Sequence, residues 1–182
     1  MDVLLVCTAN ICRSPMAEGL LRHRLEGLGI EAGIRSAGVL DAGSPAAPEA
    51  VAAMAARGID ISHHRSRRLS DPLVAGADLV LGMARQHVRE VALIDPAAWP
   101  NSFTLKELVR RAEPAGPWAR GQSLDEWLAK VAADRTHSEL LGASRADDVA
   151  DPIGGPRSGY EATAAELSEL VSALVALVRM GA

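Results

Sequence analysis

The sequence predicts an α/β fold in which a four-stranded parallel sheet, in the order 2-1-3-4, lies in a three-layer αβα arrangement with helices on both faces. Three observations carry this. Short strand segments recur at residues 3–6, 30–36, 78–82 and 103–104, the first an unbroken apolar run of the kind buried in a parallel sheet. Helical segments lie between them, and that alternation requires parallel strands joined by right-handed crossovers. The first strand runs directly into Cys7-Thr8-Ala9-Asn10-Ile11-Cys12-Arg13-Ser14-Pro15, and open sheets of this class place ligands at the carboxyl ends of their strands.

Val3-Leu4-Leu5-Val6 is an unbroken apolar run, and Ser14-Pro15 reads as a helix opening: a hydroxyl cap followed by proline in the first helical position. If the five residues between Cys7 and Arg13 curl with their N–H groups inward, they form a nest for a tetrahedral dianion at a helix N-terminus. The same field favours a thiolate, which makes Cys7 the candidate nucleophile. Arg13 offers a planar fork that grips two phosphate oxygens, which lysine does poorly. Asn10 suits the left-handed conformation of a tight anion loop, and its amide can pin the loop. Ser14 can cap the helix and donate to the Cys7 sulfur. The candidate phosphate-binding loop is thus Cys7, Thr8, Ala9, Asn10, Ile11, Cys12, Arg13 and Ser14. Two thiols on one curled loop can reach disulfide distance, so Cys12 is either an inert buried thiol or a redox partner that blocks Cys7 and protects it from irreversible oxidation.

Residues 15–28 form the first helix, with Leu20, Leu21, Leu25 and Leu28 on one stripe and Gly29 ending it. The second strand, 30–36, leads through Ala37-Gly38 and a Gly/Pro/Ala loop to a helix at 47–57 closed by Gly58. His63-His64-Arg65-Ser66-Arg67-Arg68 is a basic cluster, either a solvated face or a lure for an anionic substrate. A helical turn at 71–77, the third strand at 78–82 and a helix at 84–91 follow, with Met83 as core filler. The fourth strand, 103–104, leads into a helix at 105–111. Residues 112–146 make a long connection, rich in Ala, Gly and Pro at 114–121 and helical from about 123 to 133; such connections tend to be functional lids or mobile. Trp99, Trp118 and Trp127 lie in or just before it, to bury it on the body or to wall the site. Beyond the polar stretch 147–155, Leu167, Leu170, Val171, Leu174, Val175 and Val178 recur at the helical period of a final, structural helix.

At 182 residues the chain is long enough for one domain with a sizeable core. Nineteen basic against 23 acidic residues, with a pI near 5.7, leave no basic surplus for a nucleic-acid partner. No basic leader precedes an apolar segment and no apolar run approaches the ~20 residues of a membrane span, so a cytoplasmic protein without a membrane partner is expected. Two cysteines in one loop fit a reducing compartment.

Residues 3–15 with Met16-Ala17-Glu18 resemble the opening of the low-molecular-weight protein tyrosine phosphatases, a family that includes bacterial protein arginine phosphatases. Arg35-Ser36-Ala37-Gly38, Gly58-Ile59 with His64 and Arg67, Asp78-Leu79-Val80-Leu81 with Met83, Phe103-Thr104-Leu105-Lys106-Glu107, and Asp151-Pro152 with Gly154-Gly155 follow in family order. The resemblance covers nearly the whole chain, as a single phosphatase domain with a family-atypical insertion at about 112–146. It implies catalysis by Cys7, Arg13 and Asp151: Cys7 forms a cysteinyl-phosphate, Arg13 stabilises the transferring group and Asp151 protonates the departing one. It also implies that His64 supports the loop by hydrogen bonding to Asn10 and Ser14. The substrate would be a phosphorylated protein and the product inorganic phosphate, with no metal or other cofactor required. From the residues alone Asp147, Asp148 and Asp151 compete as the acid, and Pro152 favours Asp151 because it biases the residue before it to an extended shape.

Ile11 is the branched apolar residue typical of the tyrosine-directed members, where arginine-directed relatives carry threonine, so phosphotyrosine is the expected substrate. Residues 103–107 and Gly154-Gly155 resemble the arginine-directed branch, which stands as the alternative. The aromatic residues usual after Ser-Ala-Gly and Asp-Pro are replaced by Val39-Leu40-Asp41 and Ile153-Gly154, and Ala9 stands where the family's loop carries glycine. Arsenate reductases share the fold but need a relay of further cysteines. A phosphate-binding module without catalysis needs neither Cys7 nor Asp151. A zinc site from Cys7, Cys12, His63 and His64 would place adjacent histidines where structural sites want them about a helical turn apart.

Overall fold

The structure, a computed structural model, describes residues 1–136, 138–141, 145–179 and 181. Strand β1 (Asp2–Cys7) is central, with β2 (Gly33–Gly38) on one side, β3 (Leu79–Gly82) on the other and β4 (Ser102–Thr104) beyond it. All pair in parallel, in the expected order 2-1-3-4. The helices are α1 (Arg13–Glu26), α2 (Pro48–Ala55), α3 (Asp71–Ala75), α4 (Arg85–Ile94), α5 (Leu105–Ala115), α6 (Leu124–Val131), α7 (Ser138–Leu141) and α8 (Arg157–Val178).

Side chains of β1 alternate between two buried clusters, as strand geometry demands. Val3 and Leu5 join Met16, Leu21, Leu108, Leu167 and Val171, which places α1, α5 and α8 on one face. Leu4 and Val6 join Val74, Val80 and Val91, which places α3 and α4 on the other.

Several boundaries differ from expectation by a few residues, and three differences have identifiable reasons. Helix α1 starts at Arg13 rather than after a Ser14 cap; Cys12 holds the cap position, and the Ser14 hydroxyl is committed instead to the Cys7 sulfur. Strand β2 starts and ends later than 30–36 because its register runs from Asp2 opposite Gly33 to Cys7 opposite Gly38. A 3-10 turn at Pro96–Asn101, opened by the Asp95 carboxylate accepting from Ala97 N–H at 2.9 Å, lies between α4 and β4.

The described parts of the stretch 112–146 pack on the body. Helix α6 opens with a reciprocal Ser123 and Glu126 cap. The Trp118 and Trp127 rings stack 6.5 Å apart within the main core, and their N–H groups donate to Gln122 O and Gly116 O, both at 2.9 Å. The Arg135 guanidinium lies 3.5 Å over the Trp99 ring and 4.2 Å over Phe103 and pairs with Glu107 at 2.8 Å. Trp118 and Trp127 therefore fasten the segment rather than wall a site.

Candidate active site

Between the end of β1 and the start of α1 the chain makes its one left-handed non-glycine turn among the described residues, at Asn10 with φ 53°. That conformation suits asparagine and turns the Asn10 N–H onto Cys7 Sγ at 3.2 Å. Ser14 Oγ donates to the same sulfur at 3.0 Å. Cys7 thus sits at the head of α1 beneath two donors, where a helix N-terminus favours negative charge.

Asn10 holds the loop through every polar atom of its side chain. Its amide donates to Ser14 Oγ at 2.9 Å and Ser36 Oγ at 2.8 Å, and its Oδ1 accepts the Arg67 N–H at 2.8 Å. Ser36 in turn donates to Glu18, which pairs with Arg22. His64 Nε2 donates to the Asn10 backbone carbonyl at 2.7 Å. Burial holds the His64 pKa below its ordinary value, against the pull of that carbonyl. His64 therefore meets Asn10 but through the backbone, and the Ser14 contact expected of it is made by Asn10. Arg67 serves through its main chain, and Arg68 pairs with exposed Asp41.

Gly38 explains why the strand beside the loop ends in Ser-Ala-Gly. A Cβ there would sit 2.8 Å from both Asn10 N and Thr8 O, inside contact distance of backbone that cannot yield.

Arg13 is buried and its guanidinium has three protein partners: Thr8 Oγ1 at 3.3 Å, the Val149 carbonyl at 3.3 Å, and the Asp151 carboxylate. The three candidate aspartates are separated by their partners. Asp147 is buried and clasped by Arg110 at 2.8 and 3.1 Å. Asp148 accepts the Arg85 N–H at the start of α4, at 2.8 Å. Of the three, Asp151 alone reaches Arg13, and its side chain is 38 % exposed to solvent.

Two residues beside the loop, Tyr160 and His87, escape the reading of the sequence. The Tyr160 hydroxyl, on α8, bonds both Cys12 and the Gly154 backbone, joining the loop to the Asp151 segment. Burial, then the charges of Cys7 and Asp151, push the Cys12 thiol up to about 12. His87, fully buried in the first turn of α4, lies 3.0 Å from Thr8 Oγ1. Its signal was position: Arg85-Gln86-His87 follows β3 at the ligand-bearing end of the sheet. Leu40 and Ile153 are about half exposed. Cys7, Cys12, His63 and His64 do not assemble as ligands; among the described residues no cluster of His, Cys, Asp or Glu is arranged to hold a metal ion. No described helix is long and apolar enough to cross a membrane.

A thiol under a helix N-terminus, an arginine fork beside it and a partly exposed carboxylate beyond are the parts of a cysteine-dependent phosphatase site. The profile of the family described as low molecular weight phosphotyrosine protein phosphatase matches residues 2–114, and the chain belongs to that family. A probable low molecular weight protein-tyrosine-phosphatase, EpsP of Ralstonia nicotianae, is 48 % identical over 144 residues, 72 % of this chain and 96 % of its own. A protein-arginine-phosphatase of Bacillus subtilis is 34 % identical over 175 residues, 96 % of this chain and 94 % of its own. The solved YwlE arginine phosphatase mutant with a phosphorylated active-site serine matches with a TM-score of 0.72 and 34 % identity, over 97 % of this chain and 94 % of that one.

Proposed function

We propose that the protein hydrolyses phosphotyrosine on protein substrates through a cysteinyl-phosphate intermediate, releasing inorganic phosphate. The observation that carries this is the convergence of Cys7, Arg13 and Asp151 on one loop, with the Cys7 sulfur already receiving the Asn10 N–H and the Ser14 O–H. In the first step the Cys7 thiolate attacks phosphorus. The S–P bond forms as the P–O bond to the phenol breaks, and Asp151 gives its proton to the departing oxygen. Water then attacks phosphorus while the Asp151 carboxylate takes its proton; the S–P bond breaks and the thiolate returns. Arg13 carries the charge on the equatorial oxygens in both steps. Asn10, Ser14 and His64 hold the loop in shape.

Leu40 and Ile153 supply aliphatic rather than aromatic flanks for the substrate. Ile11 in the loop favours an aryl phosphate. Phosphoarginine is the second reading, supported by similarity over nearly the whole chain to the protein-arginine-phosphatase of Bacillus subtilis. We read residues 1–182 as one domain in which 112–146 is an insertion whose described parts are fastened to the body. Cytoplasmic residence is supported by two unpaired cysteines kept in one loop. Cys12 shares the loop with Cys7 as its candidate oxidation partner, and its high pKa means it waits as a thiol whose proton must leave before a disulfide closes.

Hydrolysis of p-nitrophenyl phosphate by wild type, Cys7→Ser and Asp151→Ala tests the chemistry, and activity surviving Cys7→Ser removes it. Competing phosphotyrosine and phosphoarginine peptides decide the substrate, and preferential turnover of the latter overturns the first reading in favour of the second.

A further inference from the structure

The chemistry above leaves one buried titratable group beside the site unused. His87 is 0 % exposed. Its Nε2 is 3.0 Å from Thr8 Oγ1, while its Nδ1 is buried and has no hydrogen-bond partner. Thr8 Oγ1 is also approached by Arg13 Nη2 at 3.3 Å and by Gln86 Nε2 at 3.4 Å. Both of those nitrogens only donate. A hydroxyl has two lone pairs and one proton, so with donors on its lone pairs its proton has a single acceptor here, the unprotonated Nε2 of His87. The ring hydrogen then lies on Nδ1, where it meets nothing. A buried donor without an acceptor is destabilising, and a leucine of similar volume would fill the space without that penalty. Something other than packing therefore accounts for an imidazole at this place.

We propose that His87 is a positioning residue for phosphoryl transfer: by accepting the Thr8 proton it turns a Thr8 lone pair onto Arg13 and holds the guanidinium at the loop when Asp151 leaves it. This rests on the phosphatase reading of the site. Of the three partners of Arg13, Asp151 is the one that must move to serve as acid. The Val149 carbonyl and the Thr8 hydroxyl remain, and only the hydroxyl can turn the wrong way. Without an acceptor at position 87 its O–H faces a guanidinium that has nothing but hydrogens to offer. Burial, then the charge of Arg13, push the His87 pKa down to about 3, so the ring keeps its accepting lone pair throughout the neutral range.

The test is steady-state hydrolysis of p-nitrophenyl phosphate together with inhibition by orthovanadate. His87→Leu lowers kcat by roughly ten- to a hundredfold, the scale of a small misplacement of a catalytic group, and weakens orthovanadate inhibition in proportion. His87→Gln, whose Oε1 can accept where Nε2 did, recovers most of both. In a Thr8→Val background His87→Leu costs nothing more, because the hydroxyl it orients is gone. Wild-type kcat in His87→Leu, no recovery by glutamine, or an undiminished loss in the Thr8→Val background overturns the proposal. Should His87→Leu not fold, Thr8→Val alone must show the drop, and an unchanged kcat there is equally fatal. Cys7→Ser, assayed alongside, keeps the two readings apart: activity that survives it defeats the phosphatase reading, whereas Cys7-dependent activity indifferent to His87 defeats only this one.

Discussion

Arg13 and Asp151, 138 residues apart, meet as an ion pair over the Cys7 loop, so the side chain proposed to grip phosphate is held by the side chain proposed to deliver the proton. On that proposal an incoming dianion competes with Asp151 for the same fork, and displacement frees the carboxylate for the leaving group.

Removing the competitor should therefore tighten anion binding while slowing turnover. Asp151→Ala is expected to bind inorganic phosphate roughly tenfold more tightly, about 1.4 kcal/mol, while kcat falls by about 10²–10⁴, the usual worth of an acid–base group. Calorimetric titration and steady-state kinetics read the two quantities. Phosphate affinity that stays level or weakens would show that the ion pair does not compete with substrate.

Gly38→Ala tests the close approach of β2 to the loop. Its Cβ meets Asn10 N and Thr8 O at 2.8 Å, and both are backbone. Overpacking of this kind costs about 1–3 kcal/mol, and a loop displaced by even part of an ångström loses roughly a hundredfold in kcat. Thermal unfolding and kinetics on one preparation suffice; wild-type kcat with a normal Tm would mean the loop has slack.

Acid should destabilise the fold through His87. Its folded pKa, about 3, lies below the ordinary 6.5, so between those values the unfolded chain binds a proton that the folded chain refuses. Stability is complete above pH 6.5 and is lost as pH falls towards 3, at up to about 1.4 kcal/mol per pH unit. Urea unfolding at pH 7, 6, 5 and 4 measures the slope. His87→Gln should flatten it, and an equal slope in both proteins would assign the acid sensitivity elsewhere.

Arg135 ties the 112–146 stretch to the sheet layer through Glu107, Trp99 and Phe103. Arg135→Ala leaves buried Glu107 with Arg111 at 3.2 Å as its remaining cation, a loss smaller than the about 3–5 kcal/mol of a buried charge left wholly unpaired. Chemical denaturation gives the number. The change lies away from Cys7, so kcat at 25 °C should be retained; a collapse of kcat without loss of stability would make the segment part of the catalytic apparatus.

The central strand and the Cys7 loop could be read from the sequence because both are written locally, in an unbroken apolar run and in thiol, arginine, hydroxyl and proline at fixed spacing, whereas the sheet order followed from the family resemblance. The start of α1 was misplaced for a physical reason: Ser14-Pro15 carries the local signature of a cap, yet the tertiary demand of the Cys7 sulfur claims the Ser14 hydroxyl. The acid could be narrowed to three aspartates but separated from the residues alone only by the proline after Asp151. What distinguishes them is their partners, Arg110 for Asp147, the Arg85 amide for Asp148 and Arg13 for Asp151. His87 and Tyr160 act across 79 and 148 positions, on Thr8 and Cys12, and no short-range pattern marks such pairings.

The distance along the chain between Arg13 and Asp151 sets an order of events at the ribosome. The Cys7 loop emerges before the Asp151 segment and before the α8 tyrosine beside Cys12. A polypeptide stopped between the two carries the thiol without the Asp151 carboxylate, so on the proposed chemistry it can hold an anion but lacks its acid.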